Sequence, residues 1–369
     1  MNIGVLKQTR NDERRVPVVP AGAHLLTKKG HTVNIEHDAG AGAGFTDREY
    51  LDAGAQVVYS RAEALGRAEL VLGVTPFQIE DVEMFVPGQT VLSFGHLGTL
   101  APAVIRGMMQ KSITAVAYEL IENNAMRRPI VEIMGEVAGP VALTLASTFL
   151  ETHHGGRGVL LSGLPGVPPA QVLVIGGGSV GMAAVRAALG MGAQVMLFDK
   201  DPDKLREADR MFDRRVVTML SYRYSLERVL KNADVVIGAV WVHGSKPPIL
   251  LTREMIRQMK PGSVIVDCSI DQGGICETGR PTTLSNPTFV AENVVHCCIP
   301  NMPSAVARTS SFALANALFP YIRWYAEGGL PAVLADQPRF AEGLYLRDGK
   351  PVHPVVAGSS EQKPRTPAP

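Results

Sequence analysis

Short apolar runs alternate with amphipathic segments along the first third of the chain. Runs of four or five apolar residues between glycine, proline or polar residues are typical of buried strands. The segment 20–29 instead places Ala23, Leu25 and Leu26 on one face and stops at Gly30, which predicts a helix. By the same criteria the predicted strands are 3–6, 56–59, 70–74, 90–94 and 114–118, and the other predicted helices are 47–53 and 102–111. The segment 32–36 alternates apolar and polar residues and is also predicted to be a strand.

The same alternation returns after residue 156. Strands are predicted at 171–175, 194–198, 234–240 and 263–268, and helices are predicted from 179 to 189 and at 310–327. The segment 136–151 is apolar on most of its circumference, which indicates a buried helix between the two units. The pattern predicts an α/β fold of two Rossmann-like lobes, each a mostly parallel sheet with helices on both faces, joined by long helices.

Composition narrows the class of protein. The chain has 369 residues, of which 46% are hydrophobic and 19% charged, which excludes a disordered or fibrous protein. The 36 basic and 35 acidic residues leave a net charge of +1, so we expect neither a nucleic acid nor a membrane as partner. Four cysteines without a CxxC pair and an N-terminus without a signal-peptide run favour the cytoplasm. The polar, proline-rich segment 357–369 is predicted to be disordered.

The strongest local signal is a glycine pattern between a predicted strand and a predicted helix. Gly176, Gly178 and Gly181 form GxGxxG, with Ser179 and Val180 inside it. In a dinucleotide site these glycines allow a tight turn, close approach of the pyrophosphate and close packing of helix on strand. Asp199 ends the next strand, where a carboxylate would bind ribose hydroxyls and favour NAD over NADP. A glycine turn in an unrelated unit remains the alternative.

Three polar stretches carry candidate chemistry. Arg15 follows the first strand, His96 lies in the glycine-flanked loop after the strand 90–94, and Asp271 follows the strand 263–268. Ligands of open α/β sheets bind beyond the carboxyl ends of strands, where His96 and Asp271 lie. From the residues alone, Arg15 also suits a surface charge, His96 a loop histidine and Asp271 a turn cap.

An ordered set of motifs identifies a family. With these motifs the chain resembles the L-alanine dehydrogenase family, which is related to the first subunit of proton-pumping nicotinamide nucleotide transhydrogenases. The likeness covers residues 1 to about 350. The motifs are RVP at 15–17, GHTV at 30–33, AGAG at 39–42, EVAG at 136–139, GGRGVL at 155–160, GLPGV at 163–167, the glycine pattern, IGAV at 237–240, IDQGG at 270–274, RPTT at 280–283 and NMP at 301–303.

The resemblance implies an NAD-dependent amino-acid dehydrogenase, reversible between L-alanine and pyruvate plus ammonia. It implies a substrate domain of residues 1–127 and 309–369, an NAD-binding domain of residues 128–308, and a cytoplasmic hexamer without a metal.

The resemblance also assigns roles to individual residues. Arg15 would bind the substrate carboxylate and Asn301 would line the substrate site. His96 and Asp271 would be the acid/base pair. Besides the glycine motif and Asp199, the implied cofactor-binding residues are Val240, Ile270 and Met302.

The chain departs from the family around the expected substrate. A lysine that usually helps hold the carboxylate is matched by Thr75, and a serine by Gly135. Gly95 and Gly135 could make room for a longer amino acid, and Trp241 and His243 are bulkier than usual. An NAD-dependent imine or keto-acid reductase, a non-catalytic transhydrogenase-like subunit and a regulatory NAD-binding protein therefore remain alternatives.

Overall fold

In the computed structural model of the chain, residues 1–10, 12–242 and 246–360 are described, with side chains through residue 357. They form two compact units. Unit 1 is Met1–Ile133 with the chain from Ala307 onward, and unit 2 is Met134–Val306. The limits predicted from the sequence were 127/128 and 308/309.

The strands are short and mostly buried. They are β1 Asn2–Val5, β2 Thr32–Glu36, β3 Gln56–Val58, β4 Leu70–Leu72, β5 Thr90–Ser93, β6 Thr114–Ala117, β7 Gln171–Ile175, β8 Gln194–Asp199, β9 Val217–Leu220, β10 Val235–Gly238, β11 Val264–Asp267, β12 Thr288–Ala291, β13 Val294–Cys297, β14 Leu344–Arg347 and β15 Lys350–Pro351.

The α-helices separate most of these strands. They are α1 Pro20–Lys28, α2 Asp47–Asp52, α3 Arg61–Arg67, α4 Ile79–Met84, α5 Pro102–Gln110, α6 Pro129–Phe149, α7 Ser179–Gly190, α8 Pro202–Met211, α9 Arg223–Leu230, α10 Arg253–Arg257, α11 Ala307–Asp336 and α12 Pro354–Ser360. α11 is interrupted at Gly328 and Gly329, whose backbone is not helical.

Unit 1 contains an eight-stranded sheet in the order β15-β14-β6-β5-β4-β1-β2-β3. The strands from β6 to β3 in this order pair in parallel, and β14 joins β6 antiparallel. The carboxyl ends of β4 and β5 therefore meet at one edge of the sheet, which places the residues after Leu72 and Ser93 near one another.

Unit 2 contains a seven-stranded sheet in the order β12-β13-β11-β10-β7-β8-β9, parallel except for β12. Val172 and Val174 on β7 join a cluster with residues of α6 and α7, whereas Leu173 and Ile175 join a cluster with residues of α9 and α10. This alternation buries both faces of the sheet. The predicted α/β class with two mostly parallel sheets is confirmed.

The apolar helix predicted at 136–151 is α6, which begins earlier, at Pro129, and crosses the limit between the units. Among the described residues it is the one helix long and apolar enough to cross a membrane. Half of the most apolar 18-residue stretch of α6 is buried inside the protein, as is also usual for the core helix of a globular protein.

The C-terminal prediction needs a correction. Disorder was expected from residue 357, but α12 continues to Ser360. Val356 is fully buried in the core of unit 1, and this anchor extends the helix into the polar segment. The remaining part of that prediction, 361–369, lies outside the described residues.

Candidate active site

The glycine motif forms a tight turn between β7 and α7 in unit 2. Gly176 has a φ of 108°, and a Cβ there would lie 2.3 Å from the carbonyl oxygen of Ala239. A Cβ on Gly181 would lie 1.7 Å from the carbonyl oxygen of Gly176. The first and third glycines are thus required by the turn and by the close approach of α7.

The middle glycine of the motif faces free space. A Cβ on Gly178 would meet no atom within 4 Å, and α7 begins directly after it, at Ser179 and Val180. The first N–H groups of a helix are donors without partners in the helix, and they favour an anion. The turn therefore has the backbone that a pyrophosphate group needs.

Asp199 lies at the end of β8, beside this turn. Its carboxylate accepts hydrogen bonds from the backbone N–H of Gly177 at 2.5 Å and of Asp201 at 2.9 Å, and it is 7% exposed. The Lys204 ammonium lies 3.9 Å away. A carboxylate in this place suits ribose hydroxyls and disfavours a 2′-phosphate, so these residues fit NAD.

The loop after β11 carries Asp271. Ile270–Gln272 form a 3-10 turn in which Ile270 is buried and Asp271 is exposed. Gly273 and Gly274 close the turn with φ values of 114° and 76°. The Ser269 hydroxyl accepts a hydrogen bond at 3.0 Å from the N–H of Val240, so the loop is joined to the end of β10.

Met302 packs beneath the start of this loop. It is 2% exposed, and its sulfur lies 3.8 Å from the Cys268 sulfur. Asn301 is half-buried and directly precedes the 3-10 helix Met302–Val306. Trp241 is 48% exposed, and His243 lies outside the described residues.

Arg15 belongs to unit 1 and is 6% exposed. Its Nε and Nη2 donate to the Glu13 carboxylate at 2.9 and 2.7 Å, and its Cζ lies 5.5 Å from the centre of the Phe94 ring. The N–H of Val16 donates to the Ser311 hydroxyl of α11 at 3.0 Å, which fixes the backbone beside Arg15. Because Glu13 offsets its charge, Arg15 presents less net positive charge than the sequence suggested.

His96 lies on the loop after β5. Its φ of 44° is left-handed, which is uncommon for a residue with a side chain. The Glu119 carboxylate, just beyond β6, accepts the N–H of His96 at 2.7 Å and of Gly95 at 2.9 Å. The imidazole is exposed and lies near the Phe94 ring, with 6.3 Å between ring centroids. The structure thus brings Arg15, Phe94 and His96 together.

Thr75 lies on the segment after β4. Its N–H and its hydroxyl both donate to the Gln8 side-chain oxygen at 2.9 Å. Gln8 in turn donates to the carbonyl oxygen of Leu6 at 3.0 Å. The position matched to a lysine in the family is therefore occupied by a neutral hydroxyl with a neutral partner.

The idea that two glycines enlarge the substrate site is wrong. A Cβ on Gly95 would lie 2.8 Å from the Ala117 Cβ, and a Cβ on Gly135 would lie 2.9 Å from the Ser179 Cβ. Both glycines therefore serve close packing, Gly95 against β6 and Gly135 between α6 and α7, and neither leaves space for a longer substrate.

The remaining candidate groups are four cysteines and a pair of histidines. Cys276, Cys297 and Cys298 are buried and Cys268 is partly buried, and none of the four forms a disulfide. His153 and His154 are exposed on the 3-10 turn Thr152–His154, and their ligand atoms lie within 4.8 Å of one another and of a Glu151 oxygen.

Three supporting residues escaped the sequence reasoning. Glu13 stands two residues before Arg15, and the opposite charges at this short spacing could have predicted the ion pair. Glu119 and Ser269 act through backbone hydrogen bonds, for which a single sequence carries no signal.

Comparison with known proteins covers both units. The profile described as "Alanine dehydrogenase/PNT, N-terminal domain" matches residues 4–138, and "Alanine dehydrogenase/PNT, C-terminal domain" matches residues 142–354. The chain belongs to the alanine dehydrogenase/PNT family. The resemblance inferred from the motifs is thereby confirmed.

Individual members of the alanine dehydrogenase/PNT family are similar along almost the whole chain. An alanine dehydrogenase of Halomonas elongata is 43% identical over 357 residues, which cover 97% of this chain and 96% of that one. A solved L-alanine dehydrogenase has a TM-score of 0.93 at 40% identity, covering 97% of this chain and 99% of that one. A solved transhydrogenase from Sinorhizobium meliloti has a TM-score of 0.81 at 23% identity over 96% and 99% of the two chains, and shows the shared fold alone.

Proposed function

We propose that this protein is an NAD-dependent amino-acid dehydrogenase that interconverts L-alanine, or a related small amino acid, with its keto acid and ammonia. The observation that carries the proposal is the full-length similarity, at about 40% identity, to proteins named alanine dehydrogenase. The open glycine turn and Asp199 support NAD as cofactor.

The residue roles in the proposed reaction are those that the family resemblance implies. The glycine turn and Asp199 would hold NAD, which would supply the acceptor for the hydride of the substrate Cα. Arg15 holds the substrate carboxylate by charge-assisted hydrogen bonds. Asp271 takes a proton from the water that adds to the resulting iminium carbon, and His96 moves the proton of the carbonyl or amine centre. Ammonia then leaves and the keto acid remains, so one water is consumed for each ammonia released.

A panel assay tests the proposal. Purified protein is mixed with NAD and each of a set of amino acids, and the absorbance of NADH is followed. We expect NADH to form with L-alanine or another small amino acid, and the reverse reaction to require both ammonia and a keto acid. A protein that binds NADH but turns over no amino or keto acid would contradict the proposal and favour a non-catalytic, transhydrogenase-like subunit.

One observation favours a second candidate function. Thr75 and Gln8 supply no cation where the family usually has a lysine. A site with fewer cations contributes less to the binding of a substrate carboxylate, so it depends less on the substrate having one. An imine or keto-acid reductase is therefore the second candidate. NADH consumption with imines or ketones that lack a carboxylate would support it.

The substitution Thr75→Lys separates these two functions. If a missing cation limits alanine turnover, the variant gains about 10- to 100-fold in kcat/KM for L-alanine, since a hydrogen bond to a charged group contributes about 1.5–3 kcal/mol. Thr75→Val, which removes the hydroxyl at similar volume, is the matched control. An unchanged kcat/KM for L-alanine in Thr75→Lys would show that the cation is not the limiting feature.

Assembly and location complete the proposal. We infer a cytoplasmic homo-oligomer, a hexamer by family resemblance, that has small molecules as its other partners. Light scattering after size-exclusion chromatography gives the mass, and a monomer at micromolar concentration would contradict this assembly.

A further inference from the structure

A buried carboxylate stands at the end of β11, directly before the loop with Asp271. Asp267 is 0% exposed. Its Oδ1 accepts the N–H of Ser269 at 3.0 Å, and its Oδ2 accepts the N–H of Ile275 at 2.8 Å. The backbone N–H and the thiol of Cys276 add to this set of donors. The carboxylate thus binds the first turn and the far end of one loop.

The donors and the carboxylate depend on one another. Within the described residues, Asp267 forms no ion pair with a basic side chain, so N–H and S–H groups stabilise it. Burial raises the pKa of Asp267 even though these hydrogen bonds act in the opposite direction. A buried carboxylate without donors is costly, and so are buried N–H groups without an acceptor. The loop conformation and the Asp267 side chain are therefore formed together.

The glycines of the loop permit this arrangement. Gly274 has a φ of 76°, and a Cβ there would lie 2.7 Å from the Asp267 Oδ2. On the neighbouring strand, a Cβ on Gly238 would lie 3.1 Å from the Asp267 Oδ1. Glycine at these positions lets the backbone close around the carboxylate.

Ser269 links the loop held by Asp267 to the residues that follow β10. Its N–H is bound by Asp267, and its hydroxyl accepts the N–H of Val240 at 3.0 Å. Asp267 therefore fixes the loop that bears Asp271, and Ser269 fixes the backbone of Val240 relative to that loop.

We propose that Asp267 is a positioning residue of the dehydrogenase, which sets the place of Asp271 and Val240 through the loop 268–275. The inference rests on the proposed function, which gives Asp271 its role; Val240 is a cofactor-binding residue by the family resemblance. Asp267 itself is fully buried, so its proposed role is exerted through the loop.

The experiment compares two buried aspartates of the same sheet. Asp267→Asn replaces one acceptor oxygen by an NH2 group that faces backbone N–H donors. The control Asp234→Asn changes a residue that is 5% exposed, precedes β10 at its other end, and accepts the N–H of Gln171 at 2.9 Å and the Lys260 ammonium at 2.8 Å. Both variants lose buried hydrogen bonds, but only the first affects the Asp271 loop.

Three quantities are measured for each variant: kcat with the best amino acid, Kd for NADH, and hydrogen exchange of the loop amides. For Asp267→Asn we expect kcat to fall about 30-fold or more, since misplacement of a reacting group by about 1 Å costs on that order. We expect Kd for NADH to rise less than about 5-fold, because the glycine turn and Asp199 remain. The Ser269 and Ile275 amides should exchange about 10-fold faster or more.

In the control, kcat should stay within about 3-fold and the two loop amides should be unchanged, even if the melting temperature drops. Ser269→Ala, which keeps Asp267 and loses only the link to Val240, should lower kcat by about 3- to 10-fold. Loop amides that exchange normally in Asp267→Asn, or a fall of kcat no larger than in Asp234→Asn, would overturn the inference. If the wild type turns over no amino acid, the proposed function fails, and exchange of the loop amides still decides whether Asp267 holds the loop.

Discussion

Two loops of this molecule are each held by a carboxylate that accepts backbone N–H groups, but the carboxylate stands in a different place in each. In unit 1, Glu119 accepts the N–H groups of Gly95 and His96 from beyond the neighbouring strand β6. In unit 2, Asp267 accepts the N–H groups of its own following loop, at positions two and eight residues further on. Each carboxylate thus fixes the backbone of a proposed acid/base residue.

The difference between the loops lies in burial and strain. Glu119 is half-buried, and His96 has a left-handed backbone with a φ of 44°. Asp267 is fully buried, and its loop uses glycines at the left-handed positions. Water can replace Glu119 in part, but it cannot reach the donors around Asp267. We therefore expect the unit 2 loop to depend more strongly on its carboxylate than the unit 1 loop does.

The largest predicted effect comes from the two residues proposed as acid and base. His96→Asn and Asp271→Asn should each lower kcat by about 10²- to 10⁴-fold, the usual range for a general acid or base. Asparagine suits position 96 because it tolerates a left-handed backbone, so the loop should keep its shape. Steady-state kinetics measures kcat, and binding of NADH provides the control, which should change little.

The double variant His96→Asn/Asp271→Asn sharpens this test. If both groups serve one proton-transfer sequence, its kcat should fall less than the product of the single effects. A single variant that keeps wild-type kcat would remove that residue from the mechanism.

The prediction with an intermediate effect compares the two carboxylates directly. Glu119→Gln keeps one acceptor oxygen and remains partly hydrated, so we expect kcat/KM to fall only about 3- to 10-fold, the equivalent of one net hydrogen bond of about 0.7–1.4 kcal/mol. The matched change is Asp267→Asn. Equal losses of kcat/KM in the two variants would show that burial of the carboxylate does not make one loop more dependent on it than the other.

Much of this fold was open to prediction because its strands are buried on both faces. β2 and β7 coincide with the predicted segments. β7 is an apolar run bounded by polar residues, and β2 alternates apolar and polar residues. The strands β9, β12, β13, β14 and β15 were not predicted. β9 and β12 are edge strands with partly exposed side chains, and they lack that continuous apolar signal.

Less of the candidate site than of the fold could be predicted from the sequence. The motifs indicated Gly176, His96 and Asp271 as candidates, because special backbone geometry and strand ends restrict the residue type. They did not show that Gly95 and Gly135 are packed against neighbours, since that depends on contacts with β6 and α7. They also missed Glu119 as the acceptor for the His96 loop, because its partners lie more than 20 residues away in the chain.

The smallest predicted effect concerns the pH dependence of stability. The pKa of Asp267 is raised by burial above its ordinary value, so over the interval between the two values the folded protein binds more protons than the unfolded chain. The contribution of this group to stability therefore falls as pH rises through that interval and is constant above it. The amide side chain of the Asp267→Asn variant does not titrate, so the stability of the wild type relative to this variant should decrease with rising pH. Urea unfolding of both proteins between about pH 4 and pH 8 measures this difference, and a difference that increases with pH would mean that the donors around Asp267 outweigh its burial.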